Sequence, residues 1–519
     1  MNIVTKIVSP FFATRQREIE QFGKQLADIQ HRQLRYLLTT AQHTEWGELY
    51  SYKDIREYRT FAERVPVSSY EDLVPFIDRM VRGEKNILWP SDVRWFAKSS
   101  GTTNDRSKYI PVTSEILHKC HYQGGFDSVA LYLNQNPQSR FFSKKNLILG
   151  GSYSPSTISN SVLTNNTTSM QGDTTHRVKT KCGDLSAVLL KNLNPFVNFV
   201  RVPRKEIILM NEWEAKMKAI VETTWKKDVA SLSGIPSWML TLIKAVMQKA
   251  GKETLTEVWP NLEVFFHGGV GFEPYRAQYE KLIPSTKMHY METYNASEGF
   301  FGIQDDLSVK SMLLMPDYQI FYEFISMNEA ENEKVIPLDE VKTGENYAMV
   351  ISTSGGLWRY KIGDTVRFTS LFPHKFIITG RTKFFINAFG EELMVDNAEK
   401  GIRAACKETN ASVIAYTAAP IFLLDKGKGQ HQWLIEFDSQ PTALEHFTAC
   451  LDKTLQQVNS DYEAKRYKEI ALQMPEIIVA RKNLFFDWMK KHNKLGGQHK
   501  VPNLSNNRDI INELLSMNN

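Results

Sequence analysis

The sequence predicts an α/β protein: a large N-terminal domain with parallel-type sheets, helices and a small β-barrel, followed by a smaller α+β C-terminal domain. Three observations carry this reading. Between residues 146 and 293 short apolar runs bounded by Gly, Pro or Asn alternate with helical patterns, as in a largely parallel sheet with helical crossovers. Residues 311–379 hold short aromatic strands and little helix. Past Gly380-Arg381 the pattern changes again to mixed helix and strand. These shifts divide the chain into residues 1–381, with a barrel-like unit at 311–379, and residues 382–519. At ~150 residues per domain, a chain of 519 has ample material for both.

From Arg15 to Thr40, Ile19, Phe22, Leu26, Ile29, Leu34 and Leu37 recur near helical spacing, which predicts an amphipathic helix. A second helix is expected over Ser69–Met80, capped by Ser69 or Ser68, with Glu71 and Asp72 at the positive end of its dipole. Phe96–Lys98 reads as a strand end that runs into a polar loop, and Ser114–Tyr132 as the helix beyond it. Strands are expected at 146–150, 206–210, 262–267 and 287–293, with helices at 212–224, 236–249 and 274–282 between them. The antiparallel unit takes its strands from 313–315, 318–324, 346–352, 365–369 and 375–378. The C-terminal domain should open on a hairpin at 384–393, then helix 395–407, strands 413–417 and 431–437, and helix 441–455.

Composition excludes several classes. With 63 basic and 58 acidic residues the net charge is +5, too weak a bias for nucleic acid or an anionic membrane surface. No stretch approaches the ~18 apolar residues of a membrane span. The N-terminal apolar patch is broken and soon followed by charge, so no signal peptide is expected. Cys120, Cys182, Cys406 and Cys450 are far apart. That argues against a disulfide scaffold or a standard zinc site and suits a reducing cytoplasm.

Three segments hold the chemistry. In Ser99-Ser100-Gly101-Thr102-Thr103-Asn104-Asp105-Arg106-Ser107-Lys108, hydroxyls and backbone N–H groups around one glycine suit a polyanion, and Lys108 adds a point charge. The Walker spacing is absent, and a plain Ser/Thr-rich surface loop fits the same residues. Tyr294-Asn295-Ala296-Ser297-Glu298, downstream of His267-Gly268-Gly269, offers an aromatic ring for a base and an acid for a divalent cation. A tight turn with an incidental acid is the alternative. In Tyr360-Lys361-Ile362-Gly363-Asp364 a carboxylate after glycine suits two ribose hydroxyls, with Arg381 following; a strand corner is the alternative. His118, Cys120 and His121 invite a metal reading, but no further ligands cluster near them in sequence. His267 fits either a pocket residue or a hydrogen-bonded histidine at a strand end, and Thr164–Thr175 reads as a polar loop over a substrate entrance.

In this order the three segments resemble the adenylate-forming superfamily of firefly luciferase, acyl-CoA ligases and peptide adenylation domains. Val65-Pro66, Tyr70-Glu71-Asp72-Leu73, Gly83-Glu84 and Ile87-Leu88-Trp89-Pro90, leading into Phe96–Thr103, bring the chain closer to one family. It is similar to the auxin-responsive Gretchen Hagen acyl acid–amido synthetases and their bacterial relatives. The resemblance implies the adenylate-forming fold, with ATP and Mg²⁺ as cofactors. Ser99, Ser100, Gly101, Thr102, Thr103 and Lys108 would hold the phosphates, Tyr294 and Ser297 the adenine side, Glu298 the Mg²⁺, and Asp364 with Arg381 the ribose. Lys383 falls at the family's hinge, and Lys500, with Lys494 as its near neighbour, is the C-terminal lysine that would enter the site during adenylation.

The implied reaction activates a small carboxylic acid as an acyl-adenylate and transfers the acyl group to an amino acid or other amine. An acyl-CoA ligase shares the first half-reaction, and an inert nucleotide-binding protein is the reading that Asp105 beside the phosphates favours. Neither the acid, the amine nor the oligomeric state is legible.

Overall fold

The computed structural model describes residues 3–99, 108–151, 180–193, 199–210, 212–269, 271–327, 334–381, 385–386, 391, 393–423, 428–459, 462–463, 466, 472–492, 494–495, 500–505 and 507–518. In chain order the strands are β1 (Trp95–Ser99), β2 (Lys108–Val112), β3 (Lys145–Ile148), β4 (Lys181–Gly183), β5 (Arg201–Val202), β6 (Val229–Gly234) and β7 (Val264–His267). They continue as β8 (His289–Ala296), β9 (Gly299–Ile303), β10 (Met312–Leu314), β11 (Ile320–Ser326), β12 (Val335–Pro337), β13 (Asn346–Thr353), β14 (Tyr360–Leu371) and β15 (His374–Arg381). The C-terminal part adds β16 (Phe385–Ile386), β17 (Leu393–Met394), β18 (Ser412–Leu423), β19 (Lys428–Ser439) and β20 (Glu476–Val479).

Among the described residues, one 12-stranded sheet runs β12-β11-β13-β14-β15-β10-β9-β8-β7-β6-β3-β5. From β8 to β5 neighbours are parallel; from β8 to β12 they are antiparallel. The antiparallel strands expected within 311–379 therefore continue the parallel sheet through β8 and β9. This half curls, and Phe301 of β9, Phe376 of β15 and Tyr294 of β8 share one interior, with ring centroids 4.9 and 6.1 Å from Tyr294. A small second sheet, β2-β1-β4, stands beside it. Pro111 is accommodated because β2 is an edge strand, where a missing N–H breaks no ladder.

Local sequence explains most elements. Helix Tyr70–Val81 starts at Ser69, whose hydroxyl accepts from Asp72 N at 3.3 Å while Asp72 accepts from Ser69 N at 2.8 Å, a capping box. The expected N-terminal helix is two, Ile3–Glu20 and Phe22–Ala41, because the Gln21 N–H bonds Glu18 O and tightens the turn. The run at 206–210 is a helix, Lys205–Ile208, and the adjacent strand is the shorter β5. An apolar run this short does not distinguish strand from helix. β6 and β9 lie in stretches where no strand was expected, and both are almost wholly buried.

In the C-terminal domain β18, β19 and β20 form a sheet that shares its core with helices Val395–Thr409 and Leu444–Val458 through Ile402, Phe447 and Leu451. β16 and β17 form the expected hairpin. Phe486, Met489 and Leu495 of this domain pack onto the apolar cluster behind β6 and β7, and salt bridges Lys490–Glu214 (2.9 Å) and Arg403–Glu273 (2.7 Å) cross between the domains. Among the described residues no helix is long and apolar enough to cross a membrane.

Candidate functional site

The first segment begins at the end of β1 and ends at the start of β2. Ser99 pairs with Lys108 across β1 and β2, so both ends of the serine and threonine stretch are pinned. Ser100, Gly101, Thr102 and Thr103, with residues 104–107, lie outside the described residues, as does the 164–175 stretch. Lys108 Nζ donates to Tyr360 Oη at 3.2 Å and lies 5.3 and 5.8 Å from the ring centroids of Tyr70 and Tyr360. Tyr70 Oη in turn accepts from Tyr109 N at 2.7 Å. Ser68 N donates to Arg359 O at 2.8 Å and Lys361 N to Ser68 O at 2.9 Å. The lysine of the first segment is thus fixed on the tyrosine that opens the third.

The second segment leaves the carboxyl end of β7, where open α/β sheets place their ligands. A Cβ at Gly268 would collide with the Thr293 carbonyl oxygen, so only glycine lets the backbone approach β8 here. β8 reaches Ala296, which pairs with Gly299, leaving Ser297 and Glu298 as the turn into β9. Turn tips normally sit in solvent, yet Ser297 is 3% and Glu298 7% exposed. Ser297 Oγ has no hydrogen-bond partner among the described residues. An unsatisfied buried hydroxyl costs about 1–3 kcal/mol, which a bound polar ligand would offset. Among the described residues no cluster of three or more His, Cys, Asp or Glu could hold a metal ion. Mg²⁺ bound with substrate phosphates asks for only one or two carboxylates, and Glu298 beside the orphaned Ser297 hydroxyl fits that demand.

The Tyr294 ring, expected beside an adenine, is buried against Phe301 and Phe376, and its hydroxyl donates to the Asp364 carboxylate. That bond joins the second segment to the third. Asp364 is itself 5% exposed. It follows Gly363, at φ 88°, where the β13–β14 register shifts between Ala348 and Val350; a bulge of this kind re-aims a side chain. Arg381 is the cross-strand partner of Asp364.

His118 is exposed, with its ring on Ser114 O at 2.8 Å, while Cys120 is buried against Phe300. His121 is buried with Nδ1 2.9 Å from Asn295 Oδ1, and burial pushes its pKa down to about 4. His267 stacks on Phe272 at 4.2 Å; burial, then Arg276, push it down to about 3. Both are neutral at pH 7.

From the C-terminal domain, Lys500 Nζ donates to Gly269 O. Lys494 lies over Trp488 of its own domain at 5.1 Å. Beside Lys500, the Glu399 carboxylate presses on Gly271, where a Cβ would collide with it, and Arg403 and Lys310 meet Glu273 at 2.7 and 3.1 Å. Burial, then Asp396 and Glu292, push the Glu399 pKa up to about 8 against the opposing pull of Lys500 and Arg403. Burial and Glu273 push Glu292 up to about 7, with Arg276 and Lys310 opposing. Neither Glu292 nor Glu399 stands out in sequence; only the docking of the two domains places them together. The raised Glu399 pKa, to which Glu292 of the other domain contributes, means that the docked arrangement binds more protons than the separated one, so docking weakens as pH rises from the ordinary carboxyl range through about 8. Interdomain FRET from pH 5.5 to 8.5 should therefore show the domains separating toward high pH. Glu399→Gln should flatten the profile, and an unchanged slope in that variant would contradict the account.

The GH3 family N-terminal domain matches residues 15–288, the GH3 family central domain 313–381 and the GH3 family C-terminal domain 396–509. Indole-3-acetic acid-amido synthetase GH3.3 of Arabidopsis thaliana is 23% identical, over 94% of this chain and 90% of its own length. The 4-substituted benzoates-glutamate ligase GH3.12 of the same plant is 24% identical over 93% and 95%. The solved AtGH3.15 acyl acid amido synthetase in complex with 2,4-DB superposes with a TM-score of 0.76 at 18% identity, over 97% of this chain and 95% of that one. Since the N-terminal match alone spans more than half of the sequence and the other two follow it in order, the chain belongs to the GH3 family.

Proposed function

We propose that this protein is an ATP-dependent acyl acid amido synthetase that activates a small carboxylic acid as its acyl-adenylate and passes the acyl group to an amino acid or other amine. The observation that carries the reading is the joining of three distant segments by two polar contacts, Lys108 to Tyr360 and Tyr294 to Asp364. Residues 1–381 form the nucleotide- and acid-binding domain and residues 382–519 the mobile lid; the hinge expected at Lys383 lies outside the described residues. Four cysteines with no disulfide among the described residues suit a cytoplasmic protein.

In the first half-reaction a carboxylate oxygen attacks the α-phosphorus of ATP in line, the bond to the β-phosphate bridge breaks, and pyrophosphate leaves. Two anions must meet, so electrostatics and positioning do most of the work. The Ser99–Lys108 stretch holds the phosphates, Lys108 supplying fixed positive charge. Asp364, with Arg381 opposite it in the ladder, fixes the ribose. Glu298 and Ser297 would hold Mg²⁺, which when bound neutralises phosphate charge. Lys500 stands where the C-terminal domain closes over the Gly268–Gly269 loop. In the second half-reaction the amine nitrogen attacks the acyl carbon, the bond to the AMP oxygen breaks, and AMP departs while the nitrogen loses a proton. No side-chain nucleophile is needed. Domain movement lets one cleft serve both steps and keeps water from the mixed anhydride.

Pyrophosphate exchange into ATP over a panel of carboxylic acids tests the reading, and exchange with at least one acid is expected. No exchange with any acid would leave a nucleotide-binding protein without this chemistry. Product masses with amino acids or CoA present then decide the acceptor: an amide supports the proposal, and a thioester alone replaces it with an acyl-CoA ligase.

A further inference from the structure

β8 and β14 are four places apart in the sheet, with β9, β10 and β15 between them. At ~4.8 Å per strand, a flat sheet would hold them ~19 Å apart, beyond the reach of any tyrosine–aspartate pair. The hydroxyl of Tyr294 nevertheless donates to Asp364, because the antiparallel half curls until the two strands face each other across Phe301 and Phe376. The contact is therefore a property of the curled sheet, set between two side chains that are 6% and 5% exposed.

A carboxylate offers two oxygens with about four lone-pair directions. Tyr294 takes one of these, at Oδ2, from a ring that packing prevents from swinging away. Gly363 sits in the β14 bulge directly before Asp364, and the phenol restrains the rotation of the carboxylate. This fixed orientation matters for a group that must receive two hydroxyls at once, since a carboxylate free to rotate would lose order on every binding event.

We propose that Tyr294 is a positioning residue, whose hydroxyl holds the Asp364 carboxylate in the orientation that receives the ribose, so that preference for a ribonucleotide over its deoxy analogues depends on it. This rests on the reading of Asp364 as the ribose-binding carboxylate. Tyr294→Phe keeps the ring and removes only the donor.

Pyrophosphate exchange with ATP, 2′-deoxyATP and 3′-deoxyATP tests this in the full-length wild type, Tyr294→Phe and Asp364→Asn, with thermal melting alongside. Wild type should favour ATP. In Tyr294→Phe the KM for ATP should rise about tenfold, the scale of one hydrogen bond to a charged group, while KM for the deoxy analogues moves far less and the preference for ATP shrinks accordingly. Adding Tyr294→Phe to Asp364→Asn should reduce the preference no further. A Tyr294→Phe protein that keeps the wild-type preference, or that loses equally with all three nucleotides, overturns the positioning role and leaves the ribose reading standing. Wild-type protein that uses all three equally overturns the ribose reading itself, and this inference with it.

Discussion

Lys108→Ala is expected to lower kcat/KM for ATP in pyrophosphate exchange by about 10²–10³-fold, the scale on which removal of one preorganised charge-stabilising donor acts. The argument is positional. The ammonium is held by Tyr360 Oη at 3.2 Å between the rings of Tyr70 and Tyr360, so its position is set before the phosphates arrive. Both rings belong to elements anchored elsewhere, Tyr70 to the capped helix and Tyr360 to the long β14. Removing the lysine therefore leaves the fold in place, and the melting temperature should stay within a few degrees of wild type. Lys108→Arg should recover little, because a planar guanidinium does not fit a site shaped for a compact ammonium. Tyr360→Phe keeps the ring but frees one ammonium proton, and a smaller loss, about tenfold, is expected. Unchanged kcat/KM in Lys108→Ala would remove this residue from the nucleotide site.

The sequence made the alternation of elements and the three segments legible because each rests on local signals. The capping serine at 69, the glycines at 268 and 363 and the spacing of apolar residues need no knowledge of the rest of the chain. What stayed hidden depends on contacts between residues far apart. Tyr70 and Tyr360 open the motifs Tyr70–Leu73 and Tyr360–Asp364, yet nothing local shows that they flank the same lysine. Tyr294 was read from its ring alone, because the role of its hydroxyl follows from the curl that brings β8 to β14. The short run at 206–210 was read as strand when its neighbour β5 already supplies the sheet edge. Glu292 and Glu399 become a pair only when the C-terminal domain docks. The sequence favours Lys500 over its neighbour Lys494 without showing where either goes; Lys500 meets the Gly268–Gly269 loop, while Lys494 packs on Trp488.

Glu323→Ala should be the most destabilising single change near the site. Glu323 is 0% and Arg359 4% exposed, and they meet in a fork, with Arg359 Nε 3.1 and 3.0 Å from the two carboxylate oxygens and Nη2 2.8 Å from the first. Nη1 donates to Ala62 O at 2.8 Å and Val65 O at 2.6 Å, and Tyr58 Oη donates to Glu323 Oε1 at 3.0 Å. Arg359 sits at φ 41°, a strained conformation for a side-chain-bearing residue, steadied by its N–H on Ser352 Oγ at 2.9 Å. Truncating the glutamate strands a buried guanidinium, which costs about 3–5 kcal/mol. On the large domain that corresponds to a melting temperature lower by roughly 5 °C. The same loss should reach the nucleotide, because Arg359 ties the 62–65 stretch to the residue before Tyr360, and Tyr360 holds Lys108. A raised KM for ATP is therefore expected in Glu323→Ala at temperatures where it remains folded. Replacing the pair together, Glu323→Met with Arg359→Met, removes both charges and leaves no uncompensated ion, so it should melt closer to wild type than either single alanine variant. If the double methionine variant is as unstable as Glu323→Ala, the loss comes from packing and the stranded-charge explanation fails.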